Sequence, residues 1–201
     1  MAYSDTIDAG FTDKSAAAVR YASFGPRLLA ALLDFLITIP AIAAVVYFTT
    51  IGPNFTIYLL LVLLVFLYKP IFEALYGATP GKMILKLKVL KEDGTPIGWS
   101  EALTRVTPWF IGSAVSAYFT YLMFQLPGFT DVEGFMENAA FMLEAQKAGQ
   151  INSANSTIQS LVGLLPLFSA LVMLFNKQRQ AAHDILAKTV VIHTEPKASV
   201  G

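Results

Sequence analysis

Arg27–Phe48, RLLAALLDFLITIPAIAAVVYF, is an apolar run that opens on one charge and is interrupted by another, Asp34. A helix of about 20 apolar residues matches a hydrocarbon core of about 30 Å. Arg27 and Asp34 stand seven positions apart, so on a helix they lie about 10 Å apart in height and nearly on one face. A carboxylate at the centre of a membrane helix costs about 2.5–3.5 kcal/mol on insertion scales, so a chain that keeps one has a partner or a task for it.

Working outward, the same kind of run recurs. Spans are expected at about 28–50, 55–76, 104–125 and 157–175, in a chain that is 55% hydrophobic and 14% charged. The expected fold is an all-α membrane protein, a four-transmembrane-helix bundle with a small cytoplasmic β-hairpin or three-stranded element. The first run is not read as a cleaved leader, because Asp5, Asp8 and Asp13 precede it, it is too long, and no small-residue cleavage pattern follows. Residues 1–20 read as a flexible cytoplasmic tail, 21–193 as the transmembrane domain, and 194–201 as a second tail.

Orientation follows from Lys and Arg. Lys14, Arg20 and Arg27 precede the first span, Lys82, Lys86, Lys88, Lys91 and Arg105 lie between the second and third, and Lys177, Arg179, Lys188 and Lys197 follow the fourth. The opposite loops hold only Lys147, beside Asp131, Glu133, Glu137 and Glu144. Positive charge marks the cytoplasmic face, which places both termini inside a multi-pass protein of the cell membrane, the bacterial inner membrane.

A formal net charge of zero gives no reason to expect nucleic acid as a partner. The lipid bilayer is the partner the composition requires, and anionic lipid suffices for the inner-face lysines. The absence of cysteine removes disulfides and thiolate chemistry. His183 and His193 are too few and too far apart for a metal centre, so neither metal nor cofactor is expected. With no nucleophile–base pair, the chain does not read as an enzyme.

In the loop before span three, Leu85, Leu87 and Val89 alternate with Lys86 and Lys88, the period of a half-buried strand. Asp93-Gly94 supplies a tight turn, and Thr95-Pro96-Ile97 starts a return strand. Thr189–His193 can add a third strand, and Ser100 can cap the helix leading into span three. In the outer loop, about 126–156, Phe135, Ala139, Met142 and Gln146 recur at helical spacing, as in a helix on the membrane surface. Gly77–Lys82 is no phosphate loop: three residues separate its glycines, and Met83 follows the Lys. It reads as a turn in which Pro80 and two glycines end span two and launch the strand.

Tyr21-Ala22-Ser23-Phe24, Arg27 and Asp34, then Phe72-Glu73-Ala74 through Ala78-Thr79-Pro80-Gly81-Lys82, and finally Arg179-Gln180 with His183-Asp184 resemble the RDD family of membrane proteins in order and spacing. That family is named for one arginine and two aspartates, which the resemblance places at Arg27, Asp34 and Asp184. Some bacterial members are sodium(lithium, potassium)/proton antiporters, and a eukaryotic member is an assembly factor. The resemblance thus implies either cation and proton antiport, with Na+, K+ or H+ as the partner, or a scaffold with membrane-protein partners.

The candidate ion, proton or structural cluster is Arg27, Asp34, Lys69, Glu73 and Asp184. Lys69 and Glu73 are one turn apart, in the inner half of span two. Arg27, Lys69, Asp34 and Glu73 sum to zero charge, which suits a structural lock between spans one and two. It equally suits a site in which Asp34 exchanges a cation or proton and Arg27 or Lys69 sets its pKa. Asp184 has two readings, an exposed pair with Lys188 or a contact with Arg27 that closes the inner mouth of the bundle. Gly112-x-x-x-Ser116 and Ser113-x-x-x-Ala117 permit close helix approach, within the chain or in a homo-oligomer.

Overall fold

A computed structural model describes residues 20–194. The tails expected at 1–20 and 194–201 lie outside the described residues, apart from Arg20 and Thr194 at their edges. The chain is mostly helical: α1 (Phe24–Thr50), α2 (Phe55–Tyr76), α3 (Pro80–Ile84), β1 (Leu87–Lys91), α4 (Trp99–Arg105), α5 (Thr107–Phe124), α6 (Phe135–Lys147), α7 (Ser153–Gly163), α8 (Leu165–Leu171), α9 (Ala182–Leu186) and β2 (Thr189–His193). Short 3-10 turns occur at Phe129–Asp131 and Val172–Phe175.

Among the described residues, three helical segments are long and apolar enough to cross a membrane: Phe24–Thr50, Phe55–Tyr76 and Thr157–Phe175. Their apolar side chains point outward, with Leu36, Leu60 and Leu64 about 60% exposed. Such a surface is stable against hydrocarbon and unfavourable in water. The last segment is interrupted at Leu164, where Pro166 has no N–H to continue the ladder. The segment expected at 104–125 is not one helix. It divides into α4 and α5 at Val106, ahead of Pro108, and the hydroxyls of Ser113, Ser116, Thr120 and Tyr121 dilute the apolar character of α5.

Two compact units make up the chain: residues up to Ile37 with Tyr68–Thr107 and Leu167 onward, and Thr38–Leu67 with Pro108–Pro166. In the first, β1 and β2 pair antiparallel, with Val89 opposite Val191 and Leu87 opposite His193. The expected hairpin is corrected. The turn at Asp93-Gly94 forms, with Lys91 N–H donating to Thr95 O at 2.9 Å, but the return is a single bridge between Leu90 and Pro96. Proline cannot donate to a ladder, so the partner of β1 comes from the far end of the chain. On its other side β2 takes the N-terminal segment, where Ala22 N–H donates to Val191 O and His193 N–H to Arg20 O. Ala22, Ala30, Leu87, Val89, Ile97, Ala102 and Val191 form the core beneath.

Further corrections concern helix starts. Pro80 launches a helix rather than a strand, since its fixed φ and missing N–H suit a first turn. The strand therefore begins at Leu87. Ser100 lies inside α4, whose first turn is closed at Gly98 by the Glu101 carboxylate accepting the Gly98 N–H at 2.8 Å.

A repeat runs through these elements at one constant offset. Gly77 has positive φ and so does Arg179. At the same offset, α3 matches α9, Lys86 matches Lys188 in the left-handed region, and β1 matches β2. Val89 and Val191 occupy equivalent places and face each other, so the strand pairing is symmetric about them. Among the described residues, Lys86, Arg179 and Lys188 are the non-glycine residues of positive φ, and all belong to this repeat.

In the second unit, Phe55, Tyr58, Tyr121, Phe124, Phe129 and Phe141 stack edge-to-face and tilted, at centroid distances from 5.0 to 6.4 Å. Gly112 in α5 faces the Val162 carbonyl of α7 within the same chain. The helix expected in the outer loop is α6, but its covered face is Asn138, Phe141, Met142 and Ala145. Phe135, Ala139 and Gln146 are exposed, so the stripe read from sequence is rotated off the packed face.

Candidate functional site

The charged residues converge in the first unit, and each is delivered by a separate element. Glu73 sits in the last turn of α2 and is fully buried. Its two oxygens are taken by different cations: Oε1 accepts from Lys82 of α3, and Oε2 accepts from Arg105 Nε of α4 at 2.8 Å. Arg105, 1% exposed, also donates through Nη1 to Asp184 Oδ1 and to the Thr189 hydroxyl. Asp184 sits in the first turn of α9, where its Oδ2 accepts from Arg27 Nη1 and from the Ala181 N–H at 2.9 Å. Arg27 Nε donates to Ala22 O at 3.1 Å, while its buried Nη2 has no hydrogen-bond partner among the described residues.

Both arginines lie outside the repeated elements and tie them together: Arg27 bonds Asp184 of the second repeat, and Arg105 bonds Glu73 of the first and Asp184 of the second. Lys82 and Asp184 are equivalent positions in α3 and α9, yet one is a cation and the other an anion. A symmetric backbone therefore carries complementary charges, and buried ions survive because each carboxylate has a cation on each oxygen. Burial alone would raise the Asp184 carboxyl, but Arg105, Arg27 and the Ala181 N–H outweigh it and hold the group well below the usual carboxylate range.

Asp34 occupies a different environment. Its Oδ1 accepts from the Tyr68 hydroxyl at 2.9 Å and the Gly81 N–H at 2.7 Å, and Oδ2 accepts from the Thr79 hydroxyl at 2.6 Å. Arg27 turns away from it toward Asp184. The carboxylate is half-buried and hooks the turn that starts α3 onto α1. Gly81 is needed there: a Cβ would stand 2.2 Å from Ala30 O and 2.9 Å from the Asp34 carboxyl carbon.

Of the five residues read from sequence, Arg27, Glu73 and Asp184 join one bonded network, and Asp34 accepts from two hydroxyls and a backbone N–H beside α3. Lys69, half-buried one turn before Glu73, lies in the electrostatic field of Glu73, Lys82, Arg105 and Asp184. The neutral quartet of the sequence reading omitted Lys82 and Arg105, which supply two of the three cations bonded here. Asp184 has the buried Arg27 contact rather than an exposed pair with Lys188. His183 is buried, with Nδ1 2.8 Å from the Ser169 hydroxyl, and burial pushes its pKa well below the ordinary value. Among the described residues no group of three His, Cys, Asp or Glu is placed to hold a metal ion.

The RDD family model matches residues 21–188, which contains every charged member of this network. The chain belongs to the RDD family. It is a membrane protein by that membership and by its apolar helices. Arg27, Asp34 and Asp184, the residues carried over from the family's name, lie on α1 and α9, and in this RDD protein the arginine bonds the second aspartate rather than the first. No curated protein and no solved structure matches the chain.

Proposed function

We propose that this RDD protein is a non-enzymatic, transport-related membrane protein that exchanges small cations and protons at Asp34. The observation that carries the reading is the contrast between Asp34 and its neighbours. Glu73 and Asp184 are clamped by guanidinium and ammonium groups, whereas Asp34 is half-buried among the exchangeable hydroxyls of Tyr68 and Thr79 and one backbone N–H. Carboxylate and hydroxyl oxygens are the ligands a hard monovalent cation takes, and the hydroxyls can turn from donating to accepting.

Occupancy of Asp34 changes the backbone around it. A proton or cation on the carboxylate removes an acceptor from Thr79 or Gly81, which frees the start of α3 from α1. The ion-paired network then serves as the fixed frame against which that turn moves. Repeat-built transporters place their sites where the repeats meet, and here Arg105 joins the two by bonding Glu73 of one and Asp184 of the other. In this reading α5 serves as a fourth span, both termini face the cytoplasm, and the protein resides in a bacterial inner membrane.

Reconstitution into liposomes with an entrapped pH-sensitive dye tests it. Wild type should couple proton movement to a Na+ or K+ gradient, and Asp34→Asn should abolish it while leaving the folded yield largely intact. Absence of cation-dependent proton flux in wild type, or equal flux in the variant, refutes the proposal. A scaffold for other membrane proteins is the second reading, favoured by the completeness of the buried ion pairing, which makes the inner region rigid. A stoichiometric partner retained through gentle detergent extraction, together with no flux, would select it.

A further inference from the structure

The two halves of the repeat differ at one place in a way the fold does not require. Where the first half turns out of its span it uses Gly77, with φ of 72°, and a Cβ there would meet Lys88 and Val89 O at 3.1 and 3.3 Å. The second half makes the same turn with Arg179, at φ of 52°. A non-glycine residue in the left-handed region costs about 1 kcal/mol. Glycine satisfies the equivalent turn, so the backbone itself does not call for arginine here.

That arginine borders a cavity. Phe24, Met173, Leu174, Asn176, Lys177 and Arg179 line this half-open cavity of about 410 Å³ at the end of the Thr157–Phe175 span. The side chains of Lys177 and Arg179 make no hydrogen bond or ion pair among the described residues. The loop bearing them is held firmly: Asn176 donates through Nδ2 to Gln180 O at 2.7 Å and accepts the Gln180 N–H at 2.8 Å. Beside the cavity, Leu174 and Phe175 are 59% and 88% exposed. The equivalent positions of the first half, Leu75 and Gly77, carry no charge.

We infer that this cavity binds the phosphodiester headgroup of an anionic phospholipid. Lys177 supplies a point charge and Arg179 a planar fork, the two modes by which proteins take phosphate oxygens. Phe24, Met173 and Leu174 line the glycerol side, and the exposed Leu174 and Phe175 lie along the first methylenes of the acyl chains. The depth is consistent, because the apolar span ends at Phe175 and the cations follow within one turn, at the level of the headgroups. The site is separate from Asp34 and does not depend on transport.

The test uses the full chain in neutral detergent, with phosphatidylglycerol, phosphatidylcholine or inorganic phosphate added, and reads bound lipid by native mass spectrometry and Tm by thermal scanning. Wild type should retain phosphatidylglycerol and gain Tm, with little effect of phosphatidylcholine. Arg179→Gly places in the turn the residue the other half uses, so it should fold, with Tm equal to or above wild type without lipid. It should bind phosphatidylglycerol about tenfold more weakly, and Lys177→Gln should add a comparable loss. Unchanged phosphatidylglycerol binding in Arg179→Gly, or equal binding of phosphatidylcholine, overturns the inference. A Tm gain from inorganic phosphate equal to that from phosphatidylglycerol also overturns it, by assigning the site to a soluble anion.

Discussion

Gly81→Ala should be among the most damaging single-methyl additions in this chain. The new Cβ would lie 2.2 Å from the Ala30 carbonyl oxygen and 2.9 Å from both the carboxyl carbon and Oδ1 of Asp34. Neither obstacle is the flexible end of a side chain: one is helix backbone, and the other is held by two hydroxyl donors. The start of α3 must therefore withdraw from α1, which costs about 1–3 kcal/mol of overpacking strain. Withdrawal also breaks the 2.7 Å Gly81 N–H bond to Asp34, about 1.5–3 kcal/mol for a hydrogen bond to a charged acceptor. Together these amount to about 3–5 kcal/mol, or roughly 10 °C in Tm for a chain of this size. Thermal unfolding in detergent, followed by Trp99 and Trp109 fluorescence, measures it. Gly25→Ala is the control, because a Cβ at Gly25 meets nothing within 4 Å and alanine favours the helix. If Gly81→Ala unfolds within a degree or two of wild type, or if Gly25→Ala loses as much, the hook between Asp34 and α3 is not what holds this turn.

Arg105→Ala leaves Glu73 and Asp184 buried with one cationic partner fewer each and should cost about 3–5 kcal/mol, read as a lower Tm and reduced folded yield. A double-mutant cycle of Arg27→Ala and Asp184→Ala should show a coupling of about 1–3 kcal/mol; additive losses would mean that their contact contributes nothing. Stability should fall as pH drops from about 7 toward 5, because the unfolded His183 takes a proton near pH 6.5 while the buried ring, its pKa depressed, stays neutral. Asp184 does not obscure that window: its folded pKa is also depressed, so its contribution is complete above about pH 5 and is lost only in stronger acid. His183→Gln should flatten the slope in Tm scans between pH 7 and 5.

The apolar spans were legible because length and hydropathy are local properties, and the runs around Asp34 and Lys69 need no tertiary information to be found. The strand at Leu87–Lys91 was legible from alternation, but its partner was not. Asp93-Gly94 announces a hairpin locally, and only the missing N–H of Pro96 hints that the return strand cannot extend. Arg27, Glu73 and Asp184 were found because intramembrane and motif charges stand out. Lys82 and Arg105 were passed over because a basic residue near an inner membrane face has a sufficient explanation in orientation and lipid. The repeat was not read at all, since its equivalent positions share conformation while differing chemically, as Lys82 and Asp184 do. Their matching left-handed residues, Lys86 and Lys188, become informative only once φ is known.

Asp184 also sets a timetable for synthesis. Arg27 and Arg105 are both synthesised before the carboxylate that binds them, which lies 157 and 79 residues further along the chain. Until then, among the described residues, Arg27 bonds the Ala22 carbonyl and Arg105 bonds Glu73. The same late segment brings β2, which closes onto β1 and the N-terminal strand segment together. A chain that stops short of Ala182 therefore lacks the one carboxylate on which both arginines close.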